Sequence, residues 1–167
     1  MPERSNPGDA VRIERTVDAP IEVVWSMWTE PEHFAAWYGP MGASIPVAEI
    51  DLRPGGIRRV CMAMETPNGP MRMWFTGEHR IVEAPTRLVY TEAMCDEDGN
   101  PIDPQQMGMS GEHAVTEVTV ELRSVGGRTS MILTHAGIPS DSPGAMGWNM
   151  ALDKLETYVR QRADNER

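Results

Sequence analysis

The sequence predicts an α+β domain in which a mostly antiparallel sheet packs one face against a single long helix near the C-terminus. Two observations lead to this fold class. Seven strand-like segments, most of them alternating apolar and polar residues, are separated by short turns rich in Gly, Pro and Asn. After them, residues 142–161 place apolar side chains at helical spacing. A helix of this kind must bury its apolar stripe against one face of the sheet.

The C-terminal helix has both a defined start and a continuous stripe. Ser142 is a good N-cap, and Pro143 suits the first helical position, where a missing N–H costs nothing. Trp148, Leu152 and Leu155 then follow at spacings that place them on one face, which Val159 continues.

Two short helices are predicted near the other end of the chain. Residues 1–9 form a polar tail, and a single domain spans residues 10–163. The alternating run from Val11 to Val17 is the first strand. Pro20 opens a helix that runs to about Trp28. Thr29 and Glu32 have the spacing of a capping box for a second helix, 31–36.

Six further strands complete the predicted sheet. Gly-rich and Asn-Gly turns between most of them make consecutive strands antiparallel neighbours. A sheet of this length must curl, and a curled sheet closed by one helix favours a pocket on its concave side. The irregular stretch 95–111 is either a lid over that pocket or a solvent-exposed hairpin extension. The predicted strands are 45–52, 57–64, 71–82, 87–94, 112–124 and 128–135.

Composition narrows the functional classes. The net charge of −10 argues against binding to nucleic acid or to an anionic membrane surface. Two cysteines, no signal-peptide pattern and no long apolar run indicate a cytoplasmic protein with reduced thiols. The four histidines lack metal-ligand spacing, and no nucleophile motif or phosphate-binding loop is present. We therefore expect no metal, no cofactor and no identifiable catalytic group.

Several segments together resemble one known family. The chain is similar, over about residues 11–160, to bacterial proteins that resemble the C-terminal domain of the activator of Hsp90 ATPase. That family belongs to the START/Bet v 1-like (SRPBCC) superfamily. The resemblance implies a helix-grip fold, in which a curved seven-stranded antiparallel sheet wraps the C-terminal helix around a hydrophobic pocket. The family has no shared catalytic motif to transfer. The segments that carry the resemblance are 15–40, 51–56, Gly77, 85–92, 116–122, 126–137 and 147–159.

Strand alternation and this fold together give an expected set of ligand-binding residues. Trp28 and Trp37 are placed at the entrance end, and Arg58 and Glu92 are the polar points. The sheet contributes Val60, Met62, Met64, Met73, Phe75, Tyr90, Val118, Val120, Met131 and Leu133, and the helix contributes Trp148, Leu152 and Leu155.

Arg58 and Glu92 depart from the family's pattern of bulky apolar residues on these faces. A buried arginine and a buried glutamate are each costly alone, so we expect them to pair with each other across the intervening strand, with water or with a ligand. The alternative is that the strand register differs by one residue, which would put both side chains in solvent.

Three functions remain open. The first is binding of a hydrophobic or amphipathic small molecule between sheet and helix. The second is an enzyme of the cyclase or hydrolase type, which would need a polar cluster such as Glu92 with His79 at the pocket. The third, from the resemblance alone, is a stress-response partner of an Hsp90-type chaperone. The chain has no room for the extra N-terminal domain of the eukaryotic activators, which argues against this third function. Exposed sheet edges could pair two chains, so a homodimer is an alternative to a monomer.

Overall fold

A computed structural model describes residues 10–103, 114–138, 140 and 143–165. Its elements follow the predicted order of one strand, two short helices, six strands and a long helix. The predicted tail and residues 104–111 of the irregular stretch lie outside the described residues, as does the N-cap at Ser142. The elements are β1 (Ala10–Val17), α1 (Ile21–Thr29), α2 (Pro31–Trp37), β2 (Ser44–Ile50), β3 (Ile57–Thr66), β4 (Gly69–Glu83), β5 (Arg87–Cys95), β6 (Val115–Val125), β7 (Arg128–Ala136) and α3 (Pro143–Asn165).

The seven strands form one antiparallel sheet with the order β1-β7-β6-β5-β4-β3-β2. Consecutive strands from β2 to β7 are neighbours, and all of these pairs except β5 and β6 are joined by short connections. The first strand closes the other side by pairing with β7, so β1 and β2 are the two edges. The predicted curved sheet with a C-terminal helix is confirmed.

The core lies between one face of this sheet and the three helices. Buried residues alternate along β6 and β7, so only one face of these strands turns inward. The predicted stripe of α3 is buried in the same cluster, including Trp148, Leu152, Leu155 and Val159. From α1 and α2, Trp28, Phe34 and Trp37 complete it. No helix in the described part of the chain is both long enough and apolar enough to cross a bilayer.

The predicted capping box at Thr29 is wrong. Thr29 is the last residue of α1, and its hydroxyl donates to the Trp25 carbonyl one turn earlier. Glu30 is the N-cap of α2, and no side chain caps that helix. Only Glu30 separates the two helices, so Thr29 belongs to the last turn of α1 and does not cap α2.

Candidate functional site

A row of residues across β3, β4 and β5 brings two ionisable side chains onto the inner face. Arg58 pairs with Gly77 in the register of β3 with β4. Between β4 and β5, Thr76 pairs with Ala93 and His79 pairs with Tyr90, so the same register places Gly77 opposite Glu92. A Cβ on Gly77 would lie 1.7 Å from the Thr91 carbonyl oxygen, so the close approach of β5 requires glycine here. The predicted register is therefore correct, and Arg58 and Glu92 share one face.

The Arg58 guanidinium is buried between aromatic rings. Its Cζ lies 3.6 Å from the ring centroid of Tyr90 and 5.0 Å from that of Phe34. The residue is only 3% exposed, and neither terminal nitrogen has a hydrogen-bond partner among the described residues. The aromatic faces stabilise the charge but use none of the in-plane N–H groups.

Two further polar atoms beside this cation also lack partners in the described part of the chain: the Tyr90 hydroxyl and His79 Nε2. His79 Nδ1 lies 3.2 Å from the Gly56 carbonyl, which can only accept, so Nδ1 carries the proton and Nε2 offers a lone pair. Burial, together with the charge of Arg58, lowers the pKa of His79. Burial raises the pKa of Tyr90, which keeps its proton.

Glu92 lies close to Arg58 without forming an ion pair. No ion pair within 4.0 Å joins the two among the described residues, so the expected direct pairing is absent. The Tyr38 hydroxyl donates to Glu92 Oε2 at 3.2 Å. Burial raises the pKa of Glu92, and the charge of Arg58 and the Tyr38 hydrogen bond oppose that shift. The pKa of Tyr38 is also raised, by burial and by the neighbouring carboxylate.

His135 forms a second buried polar group with a different character. Trp148 Nε1 donates to His135 Nδ1 at 2.8 Å, so Nε2 carries the ring proton and donates to Thr116 Oγ1 at 2.7 Å. Thr116 in turn donates to the Glu92 carbonyl at 3.0 Å. Burial lowers the pKa of His135 to about 4, so the ring is neutral near pH 7. Glu92 Oε1 is 4.0 Å from His135 Nε2.

We define the Arg58 cluster as Arg58, Tyr90, His79, Glu92 and Tyr38. The first four residues come from three strands, and Tyr38 follows directly after α2. Sequence reasoning named Arg58, Tyr90 and Glu92, treated His79 as an alternative and missed Tyr38. The signal available for Tyr38 was its place in the aromatic run that ends α2, but only the packing of α2 on the sheet brings it to Glu92.

Most of the apolar residues expected to bind ligand are brought together in the core. Trp28 and Trp37 are fully buried there, and their indole N–H groups donate to the Met131 sulfur and the Met27 carbonyl. Their role at an entrance stays a prediction. The core cluster also holds Val60, Met62, Tyr90, Val118, Val120, Met131, Leu133, Trp148, Leu152 and Leu155, with Met64 and Phe75 packed against it and Met73 half-buried beside Met62.

Methionines continue this inner face from the Arg58 cluster toward the β3–β4 turn. Met62 pairs with Met73, and Met64 pairs with Met71. Exposure rises along this path, from 3% at Arg58 through 8% at Met62 to 40% at Met71. We call these four methionines the methionine path. Long, unbranched side chains of this type adapt readily to a guest.

The opposite face of the same strands holds both cysteines. Cys61 and Cys95 are buried and free, and each pairs with Trp74 from either side. The Arg59 guanidinium covers the Trp74 ring at 4.3 Å. The thiols therefore lie away from the Arg58 cluster, as the strand alternation predicted.

One group of described residues has the spacing to hold a metal ion, namely Glu30, Glu32 and His33. Both glutamates are exposed, and His33 Nδ1 is 2.8 Å from the Tyr158 hydroxyl. His33 is buried, whereas the two glutamates are exposed, and exposed acidic groups of this kind do not by themselves make a metal site.

Comparison with known proteins agrees with this architecture. An AHSA1-like protein from Aeromonas hydrophila is 29% identical, with 92% of this chain and 94% of that one covered and a TM-score of 0.68. A protein from Nitrosomonas europaea is 24% identical over 95% and 99% of the two chains, with a TM-score of 0.72. The AHSA1 protein from Silicibacter pomeroyi is 20% identical over 92% and 99%, with a TM-score of 0.70.

The last two likenesses show the fold alone, which confirms the expected helix-grip architecture. No match was found among curated proteins. The family model described as activator of Hsp90 ATPase homolog 1-like protein matches residues 18–160, which is most of the chain, and the chain belongs to that family.

Proposed function

We infer that this protein binds an amphipathic small molecule, with the ligand's polar group at the Arg58 cluster and its apolar body along the methionine path. The observation that carries the proposal is the buried guanidinium of Arg58, whose two terminal nitrogens have no partner in the described residues. Burying a charge without hydrogen bonds lowers the stability of the folded protein by roughly several kcal/mol, because the charge loses its water. A ligand that supplies the missing bonds recovers part of that cost.

The methionine path supports an elongated apolar body rather than a compact one. It begins next to Val60, directly beyond Arg58 on the same face, and ends at the half-exposed Met71. A ligand lying along it would replace water at the exposed end and methionine contacts at the buried end. Apolar burial of this kind contributes about 25 cal/mol per Å².

Entry to the cluster requires side chains to move, because Arg58 and Tyr90 are buried. Met62 and Met64 are adaptable side chains that lie between the half-exposed Met71 and the buried Arg58 on this route. Lys154 of α3 holds the chain beyond α2 in place by donating to the carbonyls of Tyr38 and Pro40. We therefore propose entry along the methionine path and not past Tyr38.

Native mass spectrometry on freshly purified protein is the first test, followed by titration with sodium decanoate, 1-decanol and decylamine. We expect a mass excess that disappears on denaturation, or binding of at least one of the three probes. Met64→Glu should weaken the binding of every probe about tenfold or more, because it places a carboxylate on the apolar route. Met146→Glu, on an exposed face of α3, is the matched control.

The proposal is overturned if the fresh protein carries no extra mass and none of the three probes binds. It is also overturned if Met64→Glu and Met146→Glu affect binding equally, since the ligand would then lie elsewhere.

An enzyme is the second candidate, because a buried carboxyl group with a raised pKa is typical of acid–base sites. Hydrolysis of p-nitrophenyl decanoate that is lost in Glu92→Gln, and retained in the exposed-site control Glu117→Gln, would favour it. Binding of decanoate without any turnover of the ester favours the carrier or sensor role.

The family's description supports a third candidate, a role with an Hsp90-type chaperone. The test is the ATPase rate of the cognate Hsp90 with the wild-type protein and with Arg58→Met. Equal stimulation by both would favour an interaction surface that does not depend on the Arg58 cluster. No stimulation by either would discard this role.

A further inference from the structure

We propose that the polar group bound at the Arg58 cluster is a carboxylate, and that Glu92 is protonated when this carboxylate is bound. The inference rests on the proposed function, since it names the chemical class of that ligand and adds a proton to the binding reaction. It is carried by the free terminal nitrogens of Arg58 and by the position of Glu92 beside them.

The donor geometry selects a planar anion. Both terminal nitrogens of Arg58 lack a partner among the described residues, and together they form the end-on fork that matches the two oxygens of a carboxylate. The Tyr90 hydroxyl offers a third donor beside the guanidinium. A neutral alcohol would satisfy at most part of this donor set, and an ammonium group would be repelled by it.

Charge explains why the fork is available. The buried carboxylate near Arg58 belongs to Glu92, and it accepts a hydrogen bond from Tyr38 instead of forming an ion pair with the guanidinium. His135 cannot supply a second cation, because its two ring nitrogens are engaged by Trp148 and Thr116. Arg58 is thus the cation to which an incoming carboxylate would bind.

A bound carboxylate would place two acidic groups beside one guanidinium in a buried site. Two carboxylates that share such a site cannot both stay ionised, and one of them takes a proton. The ligand's group has the closer contact with Arg58 in this arrangement, so the proton goes to Glu92. Binding of a carboxylate should therefore be accompanied by proton uptake from solvent.

Two histidines near Glu92 are alternative acceptors of that proton. His135 has a pKa of about 4 and both of its ring nitrogens form hydrogen bonds, so it stays neutral above about pH 5. His79 is the remaining candidate, because its Nε2 is free. The groups facing this site are Arg58 from β3, His79 from β4, Tyr90 from β5, His135 from β7, Tyr38 after α2, and Lys154 of α3 behind Tyr38.

Isothermal titration calorimetry tests the head group and the proton together. Sodium decanoate, 1-decanol and decylamine share one tail and differ in charge. We expect decanoate to bind about tenfold or more tightly than decanol, and decylamine to bind most weakly. Arg58→Met should remove the preference for decanoate, whereas Arg59→Met, on the opposite face of the same strand, should retain it.

Repeating the decanoate titration in phosphate and in Tris, which differ in ionisation enthalpy, gives the number of protons taken up. We expect proton uptake to vary with pH between about 5 and 9, and its largest value to be close to one proton per decanoate. Glu92→Gln should bind decanoate at least as tightly as the wild type and without uptake. Glu117→Gln, with an exposed carboxylate on β6, should behave like the wild type.

The outcomes separate this inference from the proposed function. Equal binding of decanol and decanoate would overturn the carboxylate assignment and leave the amphiphile site intact. Selective binding of decanoate without proton uptake at any pH, or with uptake that persists in Glu92→Gln, would overturn the role of Glu92. Failure of all three probes would instead overturn the proposed function itself.

Discussion

Two buried polar groups lie on the same face of this sheet, and they differ in how completely their hydrogen bonds are satisfied. In the His135 network, Trp148, His135 and Thr116 pass hydrogen bonds in one direction to the Glu92 carbonyl. In the Arg58 cluster, the guanidinium nitrogens, the Tyr90 hydroxyl and His79 Nε2 have no partner among the described residues. The two groups meet at Glu92.

The difference indicates different roles. A fully satisfied buried network contributes to stability and to a unique packing of the core, and removing one member leaves another unpaired. An unsatisfied buried cation costs stability, and the proposed ligand would supply its missing hydrogen bonds. Removing the satisfied Thr116 hydroxyl and removing the unsatisfied Arg58 guanidinium should therefore change the free energy of unfolding in opposite directions.

The largest expected effect is acid destabilisation through His135. The folded protein resists protonating this ring down to about pH 4, whereas the unfolded chain binds the proton below about pH 6.5. Its contribution, roughly 3 kcal/mol, is present above about pH 6.5 and is lost as the pH falls toward about 4.

Denaturant unfolding over this range should show the loss, and His135→Gln should flatten the pH dependence. The shift of Glu92 has the opposite sign, because a raised carboxyl pKa favours the folded state at low pH. An unchanged pH dependence in His135→Gln would show that another group carries the effect.

The second effect is the cost of interrupting the same network. Thr116→Val keeps the side-chain shape but leaves His135 Nε2–H and the Glu92 carbonyl without the hydroxyl between them. We expect the free energy of unfolding to fall by about 1 to 3 kcal/mol. Thr119→Val, three residues further along β6 and on its outer face, should change it by less than about 0.5 kcal/mol. Equal effects of the two variants would contradict the structural role of the network.

The third prediction has the opposite sign. Arg58→Met replaces an unsatisfied cation with an apolar side chain of similar length, and we expect the free energy of unfolding to rise by about 1 to 2 kcal/mol. The lost contacts with the Tyr90 and Phe34 rings limit the gain. Chemical denaturation compares it with Arg59→Met. A loss of more than about 1 kcal/mol in Arg58→Met would mean that Arg58 serves the fold and not a ligand.

The smallest expected effect is at the contact of Tyr38 with Glu92. Tyr38→Phe removes a 3.2 Å hydrogen bond and keeps the aromatic packing with Phe34 and Trp148. We expect a loss of about 1 kcal/mol in the free energy of unfolding. The same variant should raise the pKa of Glu92 further, because the hydrogen bond favours the ionised form. Infrared titration of the buried carboxyl group would measure that shift.

Strand alternation predicted part of the candidate site. The period of two along β3 and β5 put Arg58 and Glu92 on the face of Met62 and Tyr90, and it put the cysteines on the other. The helix contribution of Trp148 and Leu152 followed from the helical period. Alternation cannot give the distance between two long side chains. In the structure, Arg58 stacks on the Tyr90 ring instead of forming the expected ion pair with Glu92.

The sequence by itself determined the element order, the antiparallel pairing of consecutive strands from β2 to β7 and the inward faces of β3 to β7, because hydrophobic periodicity and turn chemistry are local properties. Only the tertiary structure decided which buried polar atoms found partners. That outcome depends on side chains from distant segments, such as Tyr38 after α2, Trp148 on α3 and the close approach of β5 at Gly77. Hydrogen bonds require contact within about 3 Å, and contact between distant segments is set by packing.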